Sequence, residues 1–357
     1  MEAILLTKDK YQQWNDFVDT SSDAWFWHST HWLEYTLNYI PGSSSLSFMV
    51  MENKQILAIC PLILKDNEFD LFWSPAFANM PDKKKERVID FTFEQVDRLA
   101  SENKVKRASF MIYPLSFPKY NYLMKQGYSD TSINTQVIDL RQDLKVIHGA
   151  MRKGHDYDTD RGLKQLGVVI WNKDNITKAI FDDYCNLHHK DSGRVTRPQI
   201  TFDIQFDWIK QGNAILLGAL PNPPTFLDEF LGFSYIFTYK NKANYGSACS
   251  DPEYSGLPIG HALTWKTIEW LKEHGFEYYE LGWQQYGNQP YDFPSKKELE
   301  ISFFKRGFGG YSVSLYRGGK YYDKDYYLKV NLERINKYYC YLNNVKVKEE
   351  KKNEKTN

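Results

Sequence analysis

The sequence predicts an α/β (α+β) protein made of two tandem copies of one module, each a mixed twisted sheet flanked by helices. Three observations carry this. Both halves run through the same series of hairpin, helix, strand and short helix. Both short helices end in a Gly-aromatic pair, KQGY at 125–128 and KRGF at 305–308. A chain of 357 residues with 42% hydrophobic content also suffices for two cores of ordinary domain size.

The elements follow in order. SLSFMVMENKQILAICPLIL (45–64) has β-rich runs on either side of ENKQ and reads as a hairpin. Residues 86–102 place Val88, Phe91, Val96 and Leu99 among the apolar positions of a helix. VKRASFMIYP (105–114) is a strand, KYNYLMKQGY (119–128) a short helix and TQVIDL (135–140) another strand. A basic stretch, MRKGHDYDTDRGLKQLGV (151–168), and a helical pair separate this series from its repeat. NAILLGAL (213–220) and FLGFSYIFTY (230–239) are strands joined by the Pro-rich loop PNPPTFLDE, and NKANYGSACS (241–250) continues the meander. A helix over 258–274, the strand FEYYELG and the short helix in ELEISFFKRGFGG (298–310) complete the second copy. The expected domains are 1–145, 146–325 with the basic linker and helical pair, and 326–357 as a C-terminal helix with a charged, solvated tail.

Composition limits the function. Lys+Arg and Asp+Glu are both 45, so there is no basic excess and no strong nucleic-acid signal. Cys60, Cys185, Cys249 and Cys340 are widely spaced without a C-x-x-C pair, which argues against a disulfide framework or a zinc knuckle. The N-terminus lacks a basic segment ahead of its short ILL run, and no window reaches membrane-span length, so a cytoplasmic protein without a transmembrane segment is expected. Peripheral association with a membrane stays open. The aromatic content of 16% serves mostly as core, but Tyr and Trp also line sites for sugars and flat acyl groups.

DPEYSGLPIGHALTWKTIEWLKEHGFEYYELG (251–282), read with the strand before it, is ordered as strand, loop, helix and strand, which resembles the GNAT acyltransferase fold. Together with RK…RGLKQLGV in the linker, ANYGSACSDPEY, EHGFEYYELGW and FKRGFGG, it makes the chain similar to the Fem-type branch of that superfamily, from about 25 to 318. That branch holds the peptidoglycan-bridge aminoacyltransferases and acyltransferases of envelope polysaccharide synthesis. The resemblance implies acyl transfer to an amine, with acyl-CoA or aminoacyl-tRNA as co-substrate and no metal. It implies a nucleotide- or lipid-linked amino-sugar precursor as acceptor. No long helical hairpin is visible in the second half, and acids interrupt the linker's basic run as HDYDTD; both features weigh against the aminoacyl-tRNA donor.

The GNAT pyrophosphate loop would fall on Ser255, Gly256, Leu257, Pro258, Ile259 and Gly260. In that fold, backbone N–H groups at the helix start hold the pyrophosphate. Ser255 stands where the pattern has a basic or amide residue, and Pro258 replaces the central glycine and has no N–H to donate. Ser255, Gly256, Ile259 and Gly260 are the candidate cofactor contacts; the plainer reading is a loop-to-helix junction with Pro at the first helical position.

Acyl transfer to an amine needs a neutral nucleophile, charge stabilisation at the acyl oxygen and a route for the proton. No G-x-S-x-G elbow supports a covalent serine mechanism. The resemblance places the Phe304-Lys305 pair at the reaction centre, with Lys305 stabilising negative charge; a surface pair at a helix C-terminus is the alternative. Arg152, Lys153, Arg161 and Lys164 could clamp a diphosphate or form a solvated helix face. HHKDSGRVTRPQ gathers His188, His189, Asp191, Arg194 and Arg197, from which His189 or Asp191 could take a proton and Arg197 bind substrate; the two histidines lack metal spacing. Tyr245 and Ser247, two apart on a strand, face one side, and Trp283 and Gln284 close the next strand, so the four could line a sugar or acyl pocket. The function expected is N-acylation of an amino sugar or related amine of an envelope or surface-glycan precursor. Aminoacyl-tRNA-dependent bridge synthesis and non-catalytic glycan binding are the rivals.

Overall fold

A computed structural model describes residues 1–223 and 229–343, the side chains of 70–72 excepted. Most of the Pro-rich loop expected at 221–229, and the charged tail from 346, lie outside the described residues.

The first half contains β1 (Glu2–Leu5), α1 (Tyr11–Thr20), α2 (Thr30–Tyr39), β2 (Ser44–Ser45), β3 (Phe48–Glu52), β4 (Gln55–Cys60), β5 (Ile63–Lys65), β6 (Glu68–Trp73), β7 (Ala76–Phe77), α3 (Asp82–Glu102), β8 (Arg107–Met111), β9 (Ser129–Asp130) and β10 (Ile133–Asp139). The second contains α4 (Leu144–Gly149), α5 (His155–Gln165), β11 (Leu166–Trp171), α6 (Lys178–Ser192), α7 (Gln199–Lys210), β12 (Ala214–Pro221), β13 (Gly232–Tyr239), β14 (Lys242–Ser250), α8 (Ile259–Glu273), β15 (Tyr278–Gln284), α9 (Lys296–Arg306), β16 (Tyr311–Leu315), β17 (Arg317–Tyr321) and α10 (Lys324–Leu342).

Local chemistry explains these elements. The β3–β4 hairpin turns at Asn53 and Lys54, both at positive φ, the geometry that matches the twist of paired strands. α3 buries Val88, Ile89, Phe93, Val96 and Leu99 at helical spacing. The KQGY helix is a 3-10 turn, Tyr122–Gln126, closed by left-handed Gly127.

Each half contains a parallel pair, β6 with β8 and β14 with β15. The second pair holds together only from Lys242–Asn244 against Tyr278–Glu280, after which the strands diverge. A gap therefore opens beside Tyr245 and Gly282.

The halves are also interlocked. The seven-stranded sheet runs β11-β12-β13-β14-β15-β10-β16, so β10 from the first half lies between two strands of the second. The six-stranded sheet runs β2-β5-β6-β8-β17-β9, so β17 returns the exchange. β8, β17 and β9 in one sheet match β15, β10 and β16 in the other. The pairings thus cross residue 145 in both directions.

Three large apolar clusters follow from this arrangement. One lies under α3 and one under α8. The third joins the halves and is mostly aromatic, with Trp25, Phe26, Trp27 and Trp73 packed against Trp208, Phe233 and Phe237.

Candidate functional site

The divergence of β14 and β15 creates a cleft of about 470 Å3 between the halves. Trp27, Trp32, Trp73 and Met111 of the first half form one wall. Asn244, Tyr245, Glu280, Trp283, Gln285 and Lys305 of the second half form the other. The indoles fix one another: Trp27 and Trp73 stack with centroids 5.8 Å apart, and Trp27 meets Trp32 edge-on at 4.4 Å.

Lys305 enters from the last turn of α9, a helix started by a capping box between Ser295 and Glu298. Its ammonium lies 4.6 Å from the centroid of the Tyr245 ring. Among the described residues it has neither a hydrogen bond nor a salt bridge. Burial pulls its pKa down to about 8, a pull opposed by the charge of Glu280. Gly282 leaves room for it: a Cβ there would stand 3.1 Å from Nζ, and its φ of +95° suits only glycine.

Glu280 is the partner of Lys305 on the same wall and is 2% exposed. Its Oε1 accepts a hydrogen bond from Thr135 Oγ1 at 2.8 Å, while Oε2 is buried without a partner of good geometry. Burial raises its pKa; the Thr135 hydroxyl, the Asn244 amide and the Lys305 charge act the other way. Thr135 belongs to β10, so the exchanged strand positions this carboxyl. A cation and a carboxyl, both displaced toward neutrality and facing one cavity, form a pair suited to moving a proton while stabilising an oxyanion.

Other expected site residues lie elsewhere. Tyr245 and Ser247 do not share a face, because a bulge at Gly246 breaks the alternation against β13. Tyr245 sits under Lys305, while Ser247 bonds Tyr184 Oη at 2.8 Å on the opposite side of the sheet. Trp283 lines the cleft, but Gln284 turns away and accepts from Arg306 Nη1 at 3.1 Å; Gln285 takes its place. Phe304 does not pack beside the lysine. Its ring covers the start of α8, 5.0 Å from His261 and 5.6 Å from His155.

Arg152 stacks on Phe303 at 3.6 Å and donates to Phe303 O, so it braces α9 instead of facing the cleft. Lys153 and Lys164 are exposed, and Arg161 pairs with Asp158 at 3.1 Å. His188, His189 and Asp191 lie in the last turns of α6, not in a loop. Burial lowers the His188 pKa to about 4, His189 packs on Phe202 at 5.3 Å, and Asp191 is exposed. None of the three lines the cleft. Arg197 is held behind it, donating to Tyr35 Oη at 3.2 Å and Tyr184 Oη at 3.3 Å.

The start of α8 does not fit a pyrophosphate. Pro258 is the residue before the helix, one position earlier than expected, and is buried with Ile259. The Ile259 N–H is taken by Leu257 O at 2.9 Å. A Cβ on Gly162 of α5 would meet Pro258 O at 3.1 Å, and one on Gly260 would meet the Phe304 ring at 3.1 Å, so both sides are covered. Ser255 and Gly256 remain exposed outside this closure. Among the described residues no cluster suits a metal ion, and no helix is long and apolar enough to cross a membrane.

Residues 226–292 match the acetyltransferase (GNAT) domain model. That match covers part of the second half, and over the whole chain the fold is similar to double-module structures of the same kind. FemX is similar at 12% identity, with a TM-score of 0.66 over 93% of this chain and 100% of that one. L-PGS from Bacillus licheniformis is similar at 11% identity, with a TM-score of 0.55 over 92% of this chain and 94% of that one. A tandem GNAT protein from the clavulanic acid biosynthesis pathway is similar at 14% identity, with a TM-score of 0.51 over 90% of this chain and 98% of that one. Among curated protein sequences none matches.

The sequence reading missed Glu280, Asn244 and the tryptophan wall. Glu280 had a signal: a lone acid between Tyr279 and Leu281 in a strand that is otherwise apolar around it. WFWHSTHW (25–32) had another, three indoles and two histidines within eight residues.

Proposed function

We propose that this protein transfers an acyl or aminoacyl group to the amine of an amino sugar, or a related amine, of a cell-envelope or surface-polysaccharide precursor. The observation that supports this most is the placement of Lys305 and Glu280 on one wall of a cleft whose other wall is indole. Indole faces pack well against the apolar faces of sugar rings, and Asn244 and Gln285 offer polar contacts beside them.

In the reaction, the acceptor's neutral amine attacks the carbonyl carbon of the activated acyl group. The Lys305 ammonium stabilises the oxyanion that develops. The amine proton passes to the carboxylate of Glu280 through Oε2, the oxygen without a strong partner. The C–N bond forms, the bond to the leaving group breaks, and a proton returns to that group. No step depends on a pyrophosphate held at α8. Lys305, Glu280 and Trp283 are the residues assigned to this chemistry, with Thr135 and Tyr245 positioning the first two.

The test is incubation of purified protein with nucleotide-linked amino sugars and either acyl-CoA or aminoacyl-tRNA, read by mass spectrometry. An N-acylated sugar lost in Lys305→Ala supports the reading. Glycan binding without turnover under either donor overturns it.

A further inference from the structure

The C-terminal helix α10 presents an apolar seam that no other part of the described residues covers. Leu328, Leu332, Ile335, Tyr339 and Leu342 recur at alternating spacings of four and three residues. All five are between 44% and 62% exposed. The opposite side of the helix fixes its orientation. Tyr326 Oη donates to Glu68, Arg334 Nη1 donates to Tyr321 Oη at 2.8 Å, and the Tyr338 ring meets Phe293 at 6.5 Å. Among the described residues, these contacts hold the helix so that the seam points outward.

We infer that this seam is the interface with a second copy of the chain, which docks helix to helix in an antiparallel pair. The alternation of four and three is the repeat that meshes one helix with another, because it keeps a single narrow line of side chains facing the partner. The area is adequate: five half-exposed large side chains offer on the order of 500 Å2 per copy, roughly 1,000 Å2 for the pair, the lower bound for a specific interface.

Polarity follows from the flanking residues. A parallel pair would set Lys324 against Lys329 of the second copy on both edges of the seam, like charge against like. An antiparallel pair centred on Ile335 instead places Leu328 opposite Leu342 and Ile335 opposite itself, with Leu332 within one residue of facing Tyr339. Such a contact is self-complementary and closes after two copies. A membrane surface fits less well, since the strip is a single narrow line of side chains, whereas interfacial helices present a broad apolar face.

The test is sedimentation of the full chain across micromolar concentrations. The expected result is a species of twice the chain mass, reduced to single mass in the double variant Leu332→Glu/Ile335→Glu with unchanged circular dichroism. In a Cys340→Ser background, Ile335→Cys should form an intermolecular disulfide on mild oxidation, whereas Leu328→Cys alone should not. A wild-type chain that sediments at single mass throughout, or a double variant that still pairs, overturns the proposal. So does single-mass protein that floats with anionic phospholipid vesicles and loses that property in the double variant, which would assign the seam to a membrane. Self-linked Leu328→Cys would overturn the antiparallel arrangement.

Discussion

The Lys305 ammonium rests 4.6 Å above the Tyr245 ring and, among the described residues, has no acidic group in salt-bridge contact. A cation in that position is stabilised by the ring's π-face and by the more distant Glu280, yet it remains available to a substrate oxygen.

Lys305→Met should lower turnover by about 10²–10³-fold while acceptor affinity changes little, because the ammonium acts on charge that develops in the transition state. The same variant should melt no lower than wild type at neutral pH. The Lys305 pKa is lowered to about 8, so the folded state holds the proton less well than the unfolded chain. Its contribution to stability is unfavourable below that pH and recovers as the pH rises toward the ordinary lysine value. Steady-state kinetics with thermal melts at two pH values check both statements.

Glu280→Gln keeps the shape and the Thr135 contact but cannot take a proton. Turnover should fall by about 10²–10⁴-fold. Because Glu280 raises the Lys305 pKa, the variant should also move the alkaline limb of any residual activity to lower pH. A pH–rate profile of wild type and variant reads the shift, and an unchanged limb would separate the two groups.

Gly282→Ala should damage both activity and stability. It forces a side chain into a positive φ and directs a methyl toward Lys305 Nζ, for a backbone cost of about 1–2 kcal/mol. Denaturant titration and initial rates measure the two effects.

Trp283→Ala removes a half-exposed cleft residue that does little for the core. The acceptor KM should rise by about 5- to 10-fold, in line with one lost ring contact of about 1 kcal/mol, with almost no change in melting temperature. A large fall in stability instead would mean that the indole is structural.

The sequence carried the order of elements well, since hydrophobic periodicity and the two Gly-aromatic endings are local signals. Lys305 and Trp283 were legible and line the cleft. Ser247 leaves the cleft because simple alternation fails at the Gly246 bulge, which resets the parity, and Gln284, expected there as a strand-end residue beside Trp283, points to the other face of its strand. Phe304 was placed beside Lys305, although neighbours on a helix diverge by about 100°. Glu280 escaped notice because its importance comes from Thr135, 145 residues before it on another strand, and from Lys305 on a helix. The exchange of β10 and β17 left no local trace, for strand pairing across such separations is set by tertiary packing.

That exchange has a consequence for biosynthesis. β17 spans Arg317–Tyr321 and fills the slot between β8 and β9, so nascent polypeptide must be made through Tyr321 before the amino-terminal layer is whole. Until then β8 carries a naked hydrogen-bonding edge, an invitation to mispairing with other emerging chains. Premature termination anywhere upstream of Arg317 should therefore yield inclusion bodies instead of a shortened enzyme.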